Sequence, residues 1–190
     1  MTIIDAFFQE NNLKYYTTWS NILFYLVIII YILSYLFCWK LPSWILWASI
    51  ANIIAVCIIG NLLCCCNFDN IMDTAVVEAP DMNHFEITRT LGVSNFVVHT
   101  LPLIISILVL LSVRSDPFKV KNAFAFLSLF ALIWLLTPCS GLTCFNKINT
   151  IYSNPPIVCF LLLPIIWLII LYLTQYSQNR CEKDYCGFEW

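Results

Sequence analysis

Apolar residues in this chain gather in five long runs, separated by short stretches of charge, proline and asparagine. The runs cover residues 18–39, 43–66, 92–113, 122–137 and 157–174. A helix needs about 20 apolar residues to cross the hydrocarbon of a bilayer. Each run is near that length, and the fourth is the shortest. The breaks carry helix-ending residues: Lys40-Leu41-Pro42, Arg114-Ser115-Asp116-Pro117 and Asn154-Pro155-Pro156. No run alternates with the period of two that marks a membrane barrel strand. The pattern predicts an all-α, polytopic membrane helical bundle of about five transmembrane helices, a single transmembrane domain over residues 1–190.

Composition agrees. Of the 190 residues, 61% are hydrophobic and 11% charged, whereas soluble domains average about 25% charged residues. Mean hydropathy is +0.85. The net charge of −2 leaves no basic footprint for nucleic acid, so membrane lipids are the expected surroundings. The first residues, Met1 to Glu10, lack a basic leader. The expectation is that the first span itself directs insertion.

Five spans put the two ends on opposite sides. The N-terminal side then carries Lys14, Arg89 and Lys147. The other side carries Lys40, Arg114, Lys119, Lys121, Arg180 and Lys183. Basic residues mark the cytoplasmic side, which predicts an N-terminus outside or in a lumen and a C-terminus in the cytoplasm. The expected location is an integral protein of an endomembrane or the plasma membrane.

Within these runs His99 stands out. An ionisable group in hydrocarbon costs on the order of 2–3 kcal/mol on insertion scales. Asn95, His99, Pro102 and Ser106 recur at helical spacing and share one face. Pro102 removes a backbone hydrogen bond and predicts a kink. The second run adds Ser49, Asn52, Gly60 and Asn61, and the first adds Ser20 and Asn21. The first and third runs both start on the N-terminal side, so Thr17, Thr18 and Asn21 fall in the same leaflet as Asn95 and His99. The expected arrangement is a small polar pocket open to that side, lined by Asn21, Asn52 and Asn95. Three readings of His99 stand at this point: helix-packing glue, a catalytic or ligand-binding group, or a proton relay.

The stretch Leu13-Lys14-Tyr15-Tyr16-Thr17-Thr18-Trp19-Ser20-Asn21 resembles the threonine motif of the androgen-induced protein/FAR-17a family of multi-pass membrane threonine hydrolases. Asn95-Phe96-Val97-Val98-His99-Thr100-Leu101-Pro102 resembles that family's histidine motif. Family members have six spans, and this chain matches the last five. The resemblance implies an intramembrane hydrolase of lipid esters, the fatty acid esters of hydroxy fatty acids. It implies that Thr17 is the nucleophile and His99 the general base, with no cofactor and no metal. Thr18 is the rival hydroxyl, with helix capping as its plain alternative. The alternative for the whole chain is a non-enzymatic multi-pass subunit or scaffold of a larger assembly.

The ten cysteines fall into groups. Cys64, Cys65, Cys66, Cys139 and Cys144 lie toward the N-terminal side, Cys38, Cys181 and Cys186 toward the other, and Cys57 and Cys159 within spans. The first group suits a disulfide in a lumen or acylation in a cytoplasm. Cys181 and Cys186 lack the further ligands of a zinc site. His84 is expected to be an exposed loop residue.

Overall fold

The computed structural model describes residues 16–66, 83–113, 118–136 and 156–185. All of its regular structure there is helical. Helix α1 is Tyr16–Leu36, α2 is Ser43–Cys66, α4 is Val120–Leu136 and α5 is Pro156–Tyr185. Helix α3 has three parts: an α-helix His84–Asn95, a π-helical turn Phe96–Thr100 and an α-helix Leu101–Ser112. Helices α1, α2, α3 and α5 are long and apolar enough to cross a membrane, and α4 is a shorter apolar helix.

Helix α2 is the axis of the bundle. It packs against each of the other four. Two thirds (67%) of its spanning segment is buried, against 28% for α1, 11% for α3 and 22% for α5. Every residue from Leu46 to Cys57 is buried, on all sides of the helix. Ala48, Ser49, Ala51 and Ala55 are among them, and small side chains let neighbouring backbones approach closely. The outer helices pack Phe24, Leu127, Trp134, Trp167 and Leu171 into the core and turn other large apolar residues outward. Leu26, Ile29 and Leu36 on α1, Ile104, Leu108 and Leu111 on α3, and Ile165, Ile169 and Leu173 on α5 are all exposed. Polar Ser20, Asn21, Ser49, Asn52 and Ser106 are buried as well. A soluble protein rarely exposes such wide apolar faces, and a bilayer covers them.

Aromatic contacts seat α4. Tyr16 meets Trp134 edge-on with ring centroids 5.3 Å apart and tilts against Phe130 at 5.8 Å. Trp44 meets Phe126, and Trp167 meets Phe124. Such pairs add about 0.5–1.5 kcal/mol each beyond area burial.

Three helix ends differ from the sequence expectation by three residues or more. Helix α3 starts at His84 instead of Gly92. Asn83 accepts from the Glu86 amide at 2.9 Å, and Glu86 reaches back to the Asn83 amide, forming a capping box. The segment is too polar to register as part of a span, yet it is well capped. Helix α5 runs past Thr174 to Tyr185. There Gln175 donates to the Phe118 carbonyl at 2.9 Å and Gln178 to the Val113 carbonyl at 3.4 Å. Hydropathy ended at Thr174, but the helix continues because its polar turn clasps the ends of α3 and α4.

Helix α1 ends three residues early, at Leu36. Cys38 adopts φ 55°, the Trp39 amide donates to the Ser34 carbonyl at 3.0 Å and the Cys38 amide to the Tyr35 carbonyl at 3.4 Å. These bonds are the Schellman termination, with a cysteine where glycine is usual. A left-handed non-glycine residue is strained. Replacing exposed Cys38 by glycine should therefore raise stability by about 0.5–1 kcal/mol, while Cys38→Val should lower it. Thermal unfolding in detergent micelles checks both.

Candidate functional site

Two polar clusters join the helices. The first centres on Asn52 of α2, which is fully buried. Its Oδ1 accepts from the Tyr16 hydroxyl at 2.9 Å and from the Trp167 indole at 3.1 Å. Its Nδ2 donates to Ser20 Oγ at 3.0 Å. One amide thus ties α1, α2 and α5 together. Tyr16 and Trp167 were not singled out from sequence. Their signal is that an aromatic ring with a polar handle, once buried, needs a partner.

The second cluster surrounds the π turn of α3. A π turn carries one residue more than an α turn, and such bulges recur at functional sites. Here the Leu101 amide donates to the Phe96 carbonyl, five residues back. Pro102 follows at once and has no amide hydrogen to offer. The Val98 carbonyl, its α-helical acceptor, therefore loses a donor. Asn21 of α1 supplies one, with Nδ2 3.1 Å from the Val98 oxygen. The same Nδ2 donates to the Thr17 carbonyl at 2.9 Å. Both neighbours are carbonyl oxygens, so the amide orientation is determined: nitrogen toward them, oxygen away. Among the described residues, Asn21 Oδ1 is buried and has no hydrogen-bond partner.

His99 occupies the π turn, half-buried, with its ring laid on Gly60 of α2. A Cβ at position 60 would collide with three atoms of the imidazole, Cε1, Nδ1 and Nε2. The glycine is what admits the ring. His99 Nδ1 is buried and, among the described residues, has no partner. One turn earlier Asn95 donates to Asn61 Oδ1 at 3.3 Å, and Asn61 donates to the Cys57 carbonyl at 2.9 Å. These bonds hold α3 to α2 beside the histidine.

The five residues expected from sequence are thus distributed as follows. Asn21 lies between the backbones of Thr17 and Val98. Asn95 and His99 stand on α3 against α2. Asn52 belongs to the other cluster, with its Oδ1 doubly engaged. Thr17 is half-buried at the start of α1 and Thr18 is buried. No hydrogen bond joins the side chains of Thr17 and His99 among the described residues. Ser106, on the face of His99, bonds back to the Pro102 carbonyl at 2.8 Å and is fully buried. Among the described residues no group of three or more His, Cys, Asp or Glu is gathered to hold a metal ion. Cys38 and Cys57 are free thiols. The side chains of Cys64, Cys65, Cys66, Cys139, Cys144, Cys181, Cys186 and His84 lie outside the described residues.

No family model matches this chain, and no curated protein or solved structure shows significant similarity to it.

Two substitutions probe the clusters. Asn52→Leu removes the acceptor shared by Tyr16 and Trp167 and should cost at least about 2 kcal/mol, read as a lower unfolding midpoint in detergent. Gly60→Ala should leave the fold intact and push the imidazole aside, because a side-chain ring yields more easily than a helix backbone. Histidine NMR shifts in micelles should change for His99, while the midpoint moves little.

Proposed function

We propose that the chain is an intramembrane hydrolase of lipid esters, with Thr17 as nucleophile and His99 as general base. The observation that carries this reading is the state of His99. A histidine kept in a membrane as packing glue would spend its ring nitrogens on neighbouring helices. Here a buried ring nitrogen has no partner among the described residues, in a π turn beside the α1 residue that also holds the Thr17 backbone. Intramembrane ionisable residues left in this condition mark functional sites.

In the proposed reaction the neutral imidazole takes the proton of the Thr17 hydroxyl as its oxygen attacks the ester carbonyl. The tetrahedral intermediate expels the alkoxide of the hydroxy fatty acid, and the imidazolium returns the proton to it. The acyl group is then bonded to Thr17. A water molecule, deprotonated by the same imidazole, releases the fatty acid and restores the hydroxyl. Catalytic hydrogen bonds are commonly long in ligand-free sites and tighten with substrate in place, and the reaction requires this of Thr17 and His99. The exposed apolar flank of α3, which includes Val93 and Phe96, suits lateral arrival of an acyl chain from the bilayer. Asn21 and Asn95 line the polar end of that route.

A second reading, a non-enzymatic multi-pass subunit of a larger assembly, is favoured by Asn52, whose bonds are spent inside the bundle. In either reading the bias of basic residues supports a cytoplasmic C-terminus.

Purified protein supplied with a branched fatty acid ester should release free fatty acid. Thr17→Ala and His99→Ala should each lower the rate by at least about 100-fold while the unfolding midpoint stays near wild type. Turnover that survives both changes excludes the mechanism; absence of turnover with co-purification of other subunits supports the scaffold. A protease site added at the C-terminus should be cut only from the cytoplasmic face of sealed vesicles.

A further inference from the structure

The free atoms of the second cluster specify a ligand group. Asn21 is fully buried, and its Nδ2 is engaged by the Thr17 and Val98 carbonyls. Its Oδ1 is therefore fixed in direction and asks for a donor. His99 Nδ1, on the residue following Val98, is likewise buried and without a partner among the described residues. An unmade hydrogen bond at a buried group is costly, the more so without water at hand.

Few chemical groups satisfy both atoms. An ester or ketone oxygen, or a carboxylate, only accepts and leaves Asn21 Oδ1 unmet. A cation would need a counter-charge, and the spanning segments here contain no Asp or Glu near this depth. A hydroxyl both accepts and donates through one oxygen. Beside the π turn, Val93 and Phe96 are exposed on either side of Asn95. The medium on that flank is lipid.

From these observations we infer that Asn21 Oδ1 and His99 Nδ1 form a binding site for the hydroxyl group of a long-chain lipid alcohol. The imidazole Nδ1–H donates to the ligand oxygen, and the ligand hydroxyl donates to Asn21 Oδ1. Gly60 of α2 shapes the site by admitting the imidazole. The inference rests on the reading of this cluster as a ligand site and not on turnover. Where the chain is a hydrolase, a bound hydroxyl also fixes the imidazole tautomer, leaving Nε2 as the basic nitrogen. Asn21 is then a positioning residue acting through the ligand.

The test uses the full chain in detergent and two probes, 1-hexadecanol and its methyl ether, which differ only in the hydroxyl hydrogen and one methyl group. The alcohol should raise the unfolding midpoint by about 3 °C or more at saturation, and the ether by much less. Asn21→Leu should abolish the difference. Because loss of the Val98 contact in that variant could impair folding, His99→Phe provides a second arm: it keeps a ring over Gly60 and lacks Nδ1, and it should abolish the difference as well. Equal shifts from alcohol and ether, or a preference for the alcohol that survives in a folded variant, overturn the proposal. Equal shifts from the two probes would assign the free atoms to a resident water. Hydrolysis lost in Thr17→Ala with alcohol binding intact would separate this site from the catalytic reading.

Discussion

Inside hydrocarbon a polar group has no water to turn to, so every buried donor and acceptor must find its partner within the protein. That constraint organises this bundle around α2. A helix buried on all sides can carry a polar residue only where its neighbours bring matching groups. Asn52 is such a residue, met by Tyr16 and Ser20 from α1 and Trp167 from α5. The contacts are directional where apolar packing is not, and lipid tails compete with leucine but not with an amide. They select one rotation of α1 and α5 about the axis from the many that apolar packing would tolerate.

The same constraint explains the π turn. Pro102 deprives the Val98 carbonyl of its helical donor, and a lipid-facing helix could not leave that oxygen bare. Asn21 repairs the loss from α1. The repair spends the Asn21 amide nitrogen and leaves its oxygen over. Gly60 contributes by having no side chain, so that the ring of His99 can lie on α2. The outcome is uneven: Asn52 has both side-chain atoms engaged, and the other cluster retains two atoms without a partner among the described residues. The bonds of Asn52 serve cohesion. Free atoms beside a proline-broken turn serve a visitor.

Much of this was legible in the chain. The five apolar runs correspond to five helices, and α2 has the expected limits, Ser43 to Cys66. The polar residues expected to face inward, Ser20, Asn21, Ser49, Asn52 and Ser106, are buried. The ends of α1, α3 and α5 were less legible, because hydropathy measures where a membrane ends and not where a helix does. The capping box at Asn83, the left-handed Cys38 and the glutamines of α5 are local or tertiary hydrogen-bonding events. An average over 20 residues cannot register them.

The candidate site divides the same way. Helical spacing alone put Asn95, His99 and Ser106 on one face, and topology alone put Thr17 and His99 in one leaflet. A pocket of Asn21, Asn52 and Asn95 was a grouping by depth. Packing gave Asn52 partners of its own, because rotation about each helix axis decides which neighbour a side chain meets, and one-dimensional order does not contain that angle. The sequence by itself determined the medium, the number of helices and which faces are polar, since these follow from the free energy of transfer of each residue. Only the tertiary structure decided that Asn52 would have both side-chain atoms engaged and that Asn21 and His99 would each keep an atom without a partner among the described residues. Hydrogen bonds act over about 3 Å, and such distances exist only after the helices have docked.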